Sequence, residues 1–206
     1  MYKQRSHETH HGTHIPQITS HPGQYTVALL GDSLFERFKT TRKMLSIKKA
    51  SHILNLGVGG DKVVHVQYRI NQGLLNALKE HQLNLKQIYL HIGSNNLKPK
   101  DPNKLNKPHG LLNRDADAYD SLLKQLRAEF PDMRIVVTAL FIQREMNPND
   151  IEDVNVRLEN MAGLNGCEFL PFGDNQEGIM LPDDVHLNDF GYAKWDELLI
   201  NDMNNH

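Results

Sequence analysis

Four short stretches of this chain hold side chains that could together carry out acyl transfer. Gly31-Asp32-Ser33-Leu34 follows the apolar run Val27-Ala28-Leu29-Leu30. Ser33 therefore falls on the turn between a buried strand and a helix, where an open α/β sheet exposes side chains at its carboxyl edge. A free hydroxyl is a weak nucleophile and needs an adjacent base. Asp183-Asp184-Val185-His186 offers an imidazole for that task. A carboxylate beside it would fix its tautomer and stabilise the imidazolium. Asp183 reaches the ring if a tight turn folds the segment, and Asp184 reaches it if the segment is extended.

Acyl transfer also builds negative charge on the carbonyl oxygen, and donors must already point at it. Three candidates stand out: the Ser33 N–H at a helix start, Gly57 in Asn55-Leu56-Gly57-Val58, and the Asn95 amide in Gly93-Ser94-Asn95-Asn96. A glycine admits close backbone approach, and a side-chain NH₂ is a neutral donor of suitable reach. Each group has a simpler use. Gly57 could only shape a turn, Asn95 could cap its own loop, and His186 could be a surface histidine beside a helix N-terminus. What sets these uses aside is that all the groups follow the carboxyl ends of successive strands.

The elements that must position them alternate. Apolar runs over 25–30, 51–56, 87–92, 134–141 and 168–172 read as strands, and 34–47, 63–78, 114–130, 151–164 and 188–201 as helices. Pro131 stops the third helix, and Asn188 or Asp189 caps the last. Residues 93–112 hold Pro99, Pro102, Pro108 and Gly110 and read as a polar loop, its lysines 98, 100, 104 and 107 on a solvated surface. Short, nearly gapless strands between helices predict a parallel sheet covered on both faces. Gly57-Val58-Gly59-Gly60-Asp61-Lys62 is not a phosphate loop, because the dinucleotide pattern needs glycine where Lys62 stands and no Walker lysine follows.

With 206 residues, 39% of them hydrophobic, the chain has material for one sizeable core. We expect a single domain over 23–206 preceded by a polar, histidine-rich arm over 1–22 (His7, His10, His11, His14, His21). Clustered imidazoles can ligate metals, but no carboxylate or thiol pattern completes a site there, so the arm is expected to lie flexible or draped on the surface. The formal charge of −2 supplies no field for nucleic acid or anionic membrane. No apolar run reaches the ~20 residues of a membrane span. The first residues lack the apolar core of a secretory signal, which makes a cytoplasmic location the expectation. The one cysteine, Cys167, opens a segment read as a buried strand and is expected to be an inert core thiol.

The four ordered blocks resemble the SGNH hydrolases, or GDSL esterases/lipases, across positions 31 to 186. The resemblance implies a flavodoxin-like three-layer α/β/α sandwich with a five-stranded parallel sheet. It implies Ser33 as nucleophile, His186 as base and Asp183 as its support, with an oxyanion hole from Ser33, Gly57 and Asn95. It implies no metal and no cofactor. Many members carry aspartate where this chain has Asn96, whereas the platelet-activating-factor acetylhydrolase catalytic-subunit branch carries asparagine. Gly31 to Phe38 and His186 to Tyr192 are similar to that branch as well, which points to short acyl groups such as acetate.

The α/β-hydrolases share the order Ser, Asp, His but place serine in a mid-chain Gly-x-Ser-x-Gly, unlike Ser33. Three functions are therefore weighed: a serine esterase of small acyl esters, a carbohydrate O-deacetylase with the same machinery, and a binding module with a silent site. A small-molecule or carbohydrate ester is the expected partner, and a homo-oligomer is compatible with the sequence. An esterase of this design loses activity in acid as the base protonates, with a midpoint around 6–7 from the reference imidazole.

Overall fold

The protein is described by a computed structural model covering residues 1–40, 45–100, 103, 109–143, 146–173 and 176–206. Five parallel strands, β1 (Val27–Gly31), β2 (Ile53–Gly57), β3 (Gln87–His91), β4 (Arg134–Thr138) and β5 (Glu168–Leu170), form one sheet in the order β2-β1-β3-β4-β5. The order reverses direction beside β1, so the crevice of this open sheet lies next to the turn that carries Ser33.

Alternate side chains of each strand enter two separate cores. Ala28, Leu30, Leu54, Leu56, Ile88, Leu90, Ile135 and Val137 face one side. There they meet α5 (Val63–Asn71), α6 (Leu74–His81), α7 (Asn113–Glu129) and α8 (Pro148–Leu164). Val27, Leu29, Ile53, Tyr89 and Val136 face the other, against α3 (Ser33–Glu36) and α9 (Asp189–Asn204). This is the three-layer α/β/α arrangement expected.

Some elements differ from the sequence reading. The expected helix over 34–47 is instead the single turn α3, a 3₁₀ turn at Arg37–Lys39, and α4 (Ser46–Lys49). Residues 41–44 lie outside the described residues. The helix over 63–78 is two, because Gly73 takes φ 94° between α5 and α6. The third strand is followed at once by a 3₁₀ turn, Ser94–Asn96, and Lys98 bridges to Gly110 within the polar loop. Both Lys98 and Lys100 are exposed, while Pro102, Lys104, Lys107 and Pro108 lie outside the described residues. The last strand is an edge strand and only partly covered. Cys167, just before it, is buried, and that burial pushes its thiol up.

The histidine-rich arm is helical. It runs through α1 (Gln4–Thr9), a π turn (His10–His14) and α2 (Ile15–Ser20). Ser6, His10, His14 and Ile18 recur every four residues and are all fully buried. Burial pushes His10 down to about 4 and His14 to about 2. Neutral imidazoles here act as core packing. Among the described residues, no group of histidines, cysteines and carboxylates is placed to hold a metal ion.

Candidate active site

The loop between β5 and α9 closes on itself before it delivers His186. Leu181 N–H donates to His186 O at 2.8 Å, Asn188 N–H to Ile179 O at 2.7 Å, and Met180 bridges Leu187. Asn188 Oδ1 then caps α9 by accepting from Phe190 and Gly191 N–H. Between these anchors Asp183 makes a tight turn. Its Oδ1 accepts from the N–H groups of Val185 and His186, both at 3.0 Å. Its Oδ2 lies 2.7 Å from His186 Nδ1. Asp184 takes φ 49° at the bend, and it is Asp183 that pairs with the ring Nδ1, so the folded alternative is the one adopted.

Partial burial pushes the Asp183 carboxyl up, but the hydrogen bonds from the His186 ring and from the two backbone N–H groups outweigh it and hold it at about 2. An ionised Asp183 fixes the proton on Nδ1 and leaves Nε2 as an acceptor. Ser33 Oγ sits 3.1 Å from that nitrogen, from a position 153 residues away in the chain.

Ser33 opens α3, where the first N–H groups of a helix have no intrahelical acceptor. Contacts from α9 help to fix this turn. Tyr192 Oη, from α9, donates to Leu34 O at 3.0 Å, and Phe35 stacks on Trp195 at 5.0 Å between ring centres. Asp32 Oδ1 accepts from Leu34 N–H. That carboxyl is fully enclosed; burial pushes it up to about 7, with the hydrogen bond from Leu34 pulling down and the charge of Asp61 adding to the rise.

The candidate oxyanion donors lie in the two neighbouring loops. Gly57 pairs in register with Gly31. Its missing side chain admits protein rather than ligand: a Cβ there would stand 2.3 Å from Glu36 N and 2.8 Å from Asp32 O. Its N–H donates to Asn55 Oδ1 at 2.9 Å, while Asn55 Nδ2 donates to Phe35 O. The sequence-based reason for this glycine, close approach to a substrate, thus gives way to close approach of the Ser33 turn. Asn95 Nδ2 donates to Asp61 O at 3.0 Å and makes a longer contact of 3.4 Å with Asp32 Oδ2. Asn96 explains itself: it accepts from Val63 N–H at the start of α5 and donates to Asp115 Oδ1 at 2.7 Å. An aspartate at 96 would set two carboxylates against each other.

A cavity of about 310 Å³ lies on the Asn95 side of the site, lined by Ser94, Asn95, Leu97, Pro99, Gln143, Met146 and Val185. A larger one of about 390 Å³, beside α8 and the end of β5, includes none of the candidate residues.

Sequence reasoning missed Asp61 and Arg69. Asp61 appeared only within a rejected phosphate loop. Arg69 carried a signal, a charge on the apolar stripe of α5 beside Val63 and Val66, and it is fully buried.

Residues 24–194 match the model of the GDSL-like Lipase/Acylhydrolase family. The human platelet-activating factor acetylhydrolase IB subunit alpha1 is 24% identical over 180 residues, covering 81% of this chain and 70% of that one. The alpha2 subunit from Bos taurus is 25% identical over 183 residues, covering 82% and 71%. In fold, the chain is similar to a GDSL-like lipase from Bacteroides thetaiotaomicron, with a TM-score of 0.73 and 15% identity over 98% of this chain and 99% of that one. It is also similar to the acetyl xylan esterase AlAXEase, at 0.60 and 17% identity over 85% and 98%. With the family matched across the whole sheet and the loops at its carboxyl edge, the chain belongs to the GDSL-like lipase/acylhydrolase family, the SGNH hydrolases.

Proposed function

We propose that this hydrolase cleaves short-acyl carboxylic esters, acetyl esters foremost, with Ser33 as nucleophile, His186 as general base and Asp183 as its orienting acid. The observation that carries the reading is the unbroken relay from Asp183 Oδ2 to His186 Nδ1 at 2.7 Å and from Nε2 to Ser33 Oγ at 3.1 Å. Both distances are within hydrogen-bond reach, the first for orienting the ring and the second for proton transfer from Ser33.

In the proposed sequence Ser33 Oγ attacks the ester carbonyl and its proton passes to His186 Nε2. The imidazolium, stabilised by Asp183, then protonates the leaving alkoxide as the carbon–oxygen bond breaks. Water repeats the cycle on the acyl-enzyme: it gives its proton to His186 and releases the acid, and Ser33 recovers its hydrogen. The Asn95 amide, the Ser33 N–H and the Gly57 N–H serve as donors to the tetrahedral oxyanion. For Gly57 this means sharing its hydrogen between Asn55 Oδ1 and the substrate, a three-centre arrangement proteins commonly use.

The cavity beside Asn95, at about 310 Å³, is at the small end for ligand sites, which agrees with a small ester. The acetylhydrolase names of the relatives agree with this choice. Hydrolysis of 4-nitrophenyl esters from acetate to octanoate tests it. The expected result is a preference for acetate and no burst or turnover in Ser33→Ala. Octanoate preferred over acetate would reject the short-acyl assignment, and equal rates in wild type and Ser33→Ala would reject the mechanism.

A carbohydrate O-acetyl ester is the second reading. The polar part of the cavity lining, Ser94, Asn95 and Gln143, would accept a hydroxyl-rich alcohol. Acetate release from acetylated xylan well above the rate on simple acetyl esters would favour it.

A further inference from the structure

The site described above rests on a charged cluster that reaches into the N-terminal helix. The side chain of Asp61 is fully buried. Its Oδ1 takes Lys3 Nζ at 3.1 Å, and its Oδ2 takes Ser6 Oγ at 3.0 Å and Arg69 Nη2 at 3.2 Å. Arg69, equally enclosed, donates from Nη1 to Leu56 O at 2.8 Å and from Nη2 to Gly31 O at 3.2 Å. It therefore ties together the carboxyl ends of β1 and β2, one residue or two ahead of Gly57 and Ser33. Lys3 also donates to Gly59 O at 2.6 Å, and Arg5 pairs with Glu36 at 2.9 Å. The backbone carbonyl of the same Asp61 accepts from Asn95 Nδ2 at 3.0 Å. One residue thus clamps the N-terminal helix with its carboxylate and the candidate oxyanion amide with its carbonyl.

We propose that Lys3 and Ser6 are positioning residues for the reaction: through Asp61 they set the direction of the Asn95 amide. The proposal rests on the reading of Asn95 as an oxyanion donor. A preorganised donor owes its worth to being fixed before charge develops. A carbonyl that can shift carries the amide with it, and displacements near 1 Å at a reacting centre cost up to about a hundredfold in rate. Arg69 reaches only Oδ2 of Asp61. Ser6 adds a second contact on that oxygen and Lys3 takes the other, so the helix contacts both carboxylate oxygens and limits how far Asp61 and its carbonyl can turn.

The test is a double-mutant cycle with 4-nitrophenyl acetate as probe. One arm is the Lys3→Met, Ser6→Ala double variant, the other is Asn95→Ala, and the third combines them; thermal melting shows that each is folded where rates are read. The proposal expects the helix variant to lose about tenfold in kcat with KM changed less than twofold, and Lys3→Arg to retain the wild-type rate. In the Asn95→Ala background the helix changes should cost less than twofold, because the group they position is gone. Lys3→Met alone, a milder change, should move in the same direction and serves if the double variant melts too low.

Wild-type kcat in both helix variants would overturn the proposal while leaving the oxyanion reading intact, provided Asn95→Ala is impaired. A tenfold loss that persists unchanged in the Asn95→Ala background would also overturn it, by showing a route that does not pass through Asn95. Wild-type kcat in Asn95→Ala would instead remove the underlying reading, and the proposal with it.

Discussion

Asp183 holds His186 twice, taking its backbone N–H on one carboxylate oxygen and its ring Nδ1 on the other. The same three-residue turn that sets the direction of the side chain also sets its tautomer. Asp184, one residue on, has the same charge but stands at the bend with φ 49°. This pair gives a sharp contrast. Asp183→Asn should lower kcat by about 10²–10⁴, since an amide can stabilise the wrong tautomer and no longer balances an imidazolium. Asp184→Asn should stay within about threefold of wild type. Steady-state rates on an acetyl ester check both, and comparable losses in the two variants would contradict the assignment.

The amide of Asn95 is expected to contribute to the transition state rather than to binding. Asn95→Ala should therefore reduce kcat by about 10²–10³ with little change in KM, the usual cost of one missing oxyanion donor. A rise in KM at constant kcat would make Asn95 a ground-state contact instead.

Gly57 touches protein on the side where a side chain would go. A methyl group there would stand 2.3 Å from Glu36 N, against backbone that cannot swing aside as a flexible side chain would. Gly57→Ala should destabilise the fold by about 1–3 kcal/mol as an overpacked position. The strain falls on the turn carrying Ser33, so activity should drop further than melting alone explains. Thermal unfolding and kcat measured together test this; a fully stable and fully active variant would refute it.

Asp32 makes stability depend on pH in an unusual direction for a carboxyl. Its ordinary value of 3.8 is raised to about 7 by burial in the folded chain. The folded protein therefore holds the proton more tightly than the unfolded one. The resulting stability is complete below about pH 4 and is lost as pH rises through about 7. Asp32→Asn keeps an acceptor for Leu34 N–H and removes the charge. Its melting temperature relative to wild type should rise between pH 5 and pH 8. A constant or shrinking difference over that interval would show that Asp32 is not the titrating group.

Much of this fold is legible in the sequence. Strand order aside, alternating apolar runs imposed a parallel sheet, because helices on both faces leave gapless strands as the only stable filling. Ser33 and His186 stand out as candidates because their signals are local, a strand end followed by a polar residue and a loop just ahead of a capped helix, whereas the preference for Asp183 over Asp184 and the three roles come from the resemblance to the SGNH hydrolases. The N-terminal helix was not legible. Its buried stripe is Ser6, His10, His14 and Ile18, mostly polar types that ordinarily mark a surface, and only their spacing of four betrays a helix face. The break between α5 and α6 was hidden for the opposite reason. Val63, Val66, Ile70, Leu74 and Leu78 keep helical period straight through Gly73, and the left-handed turn there merely restarts it. Asp61 and Arg69 were missed because their meaning is long-range: each satisfies groups from elements far apart in sequence.

The central claim is that Ser33 is a nucleophile activated by His186. Intact-mass measurement after exposure to a fluorophosphonate, followed by peptide mapping, tests it most directly. We expect one adduct per chain, located on Ser33, and none in Ser33→Ala or His186→Ala. An unlabelled wild type, or an adduct on any other residue, would contradict it.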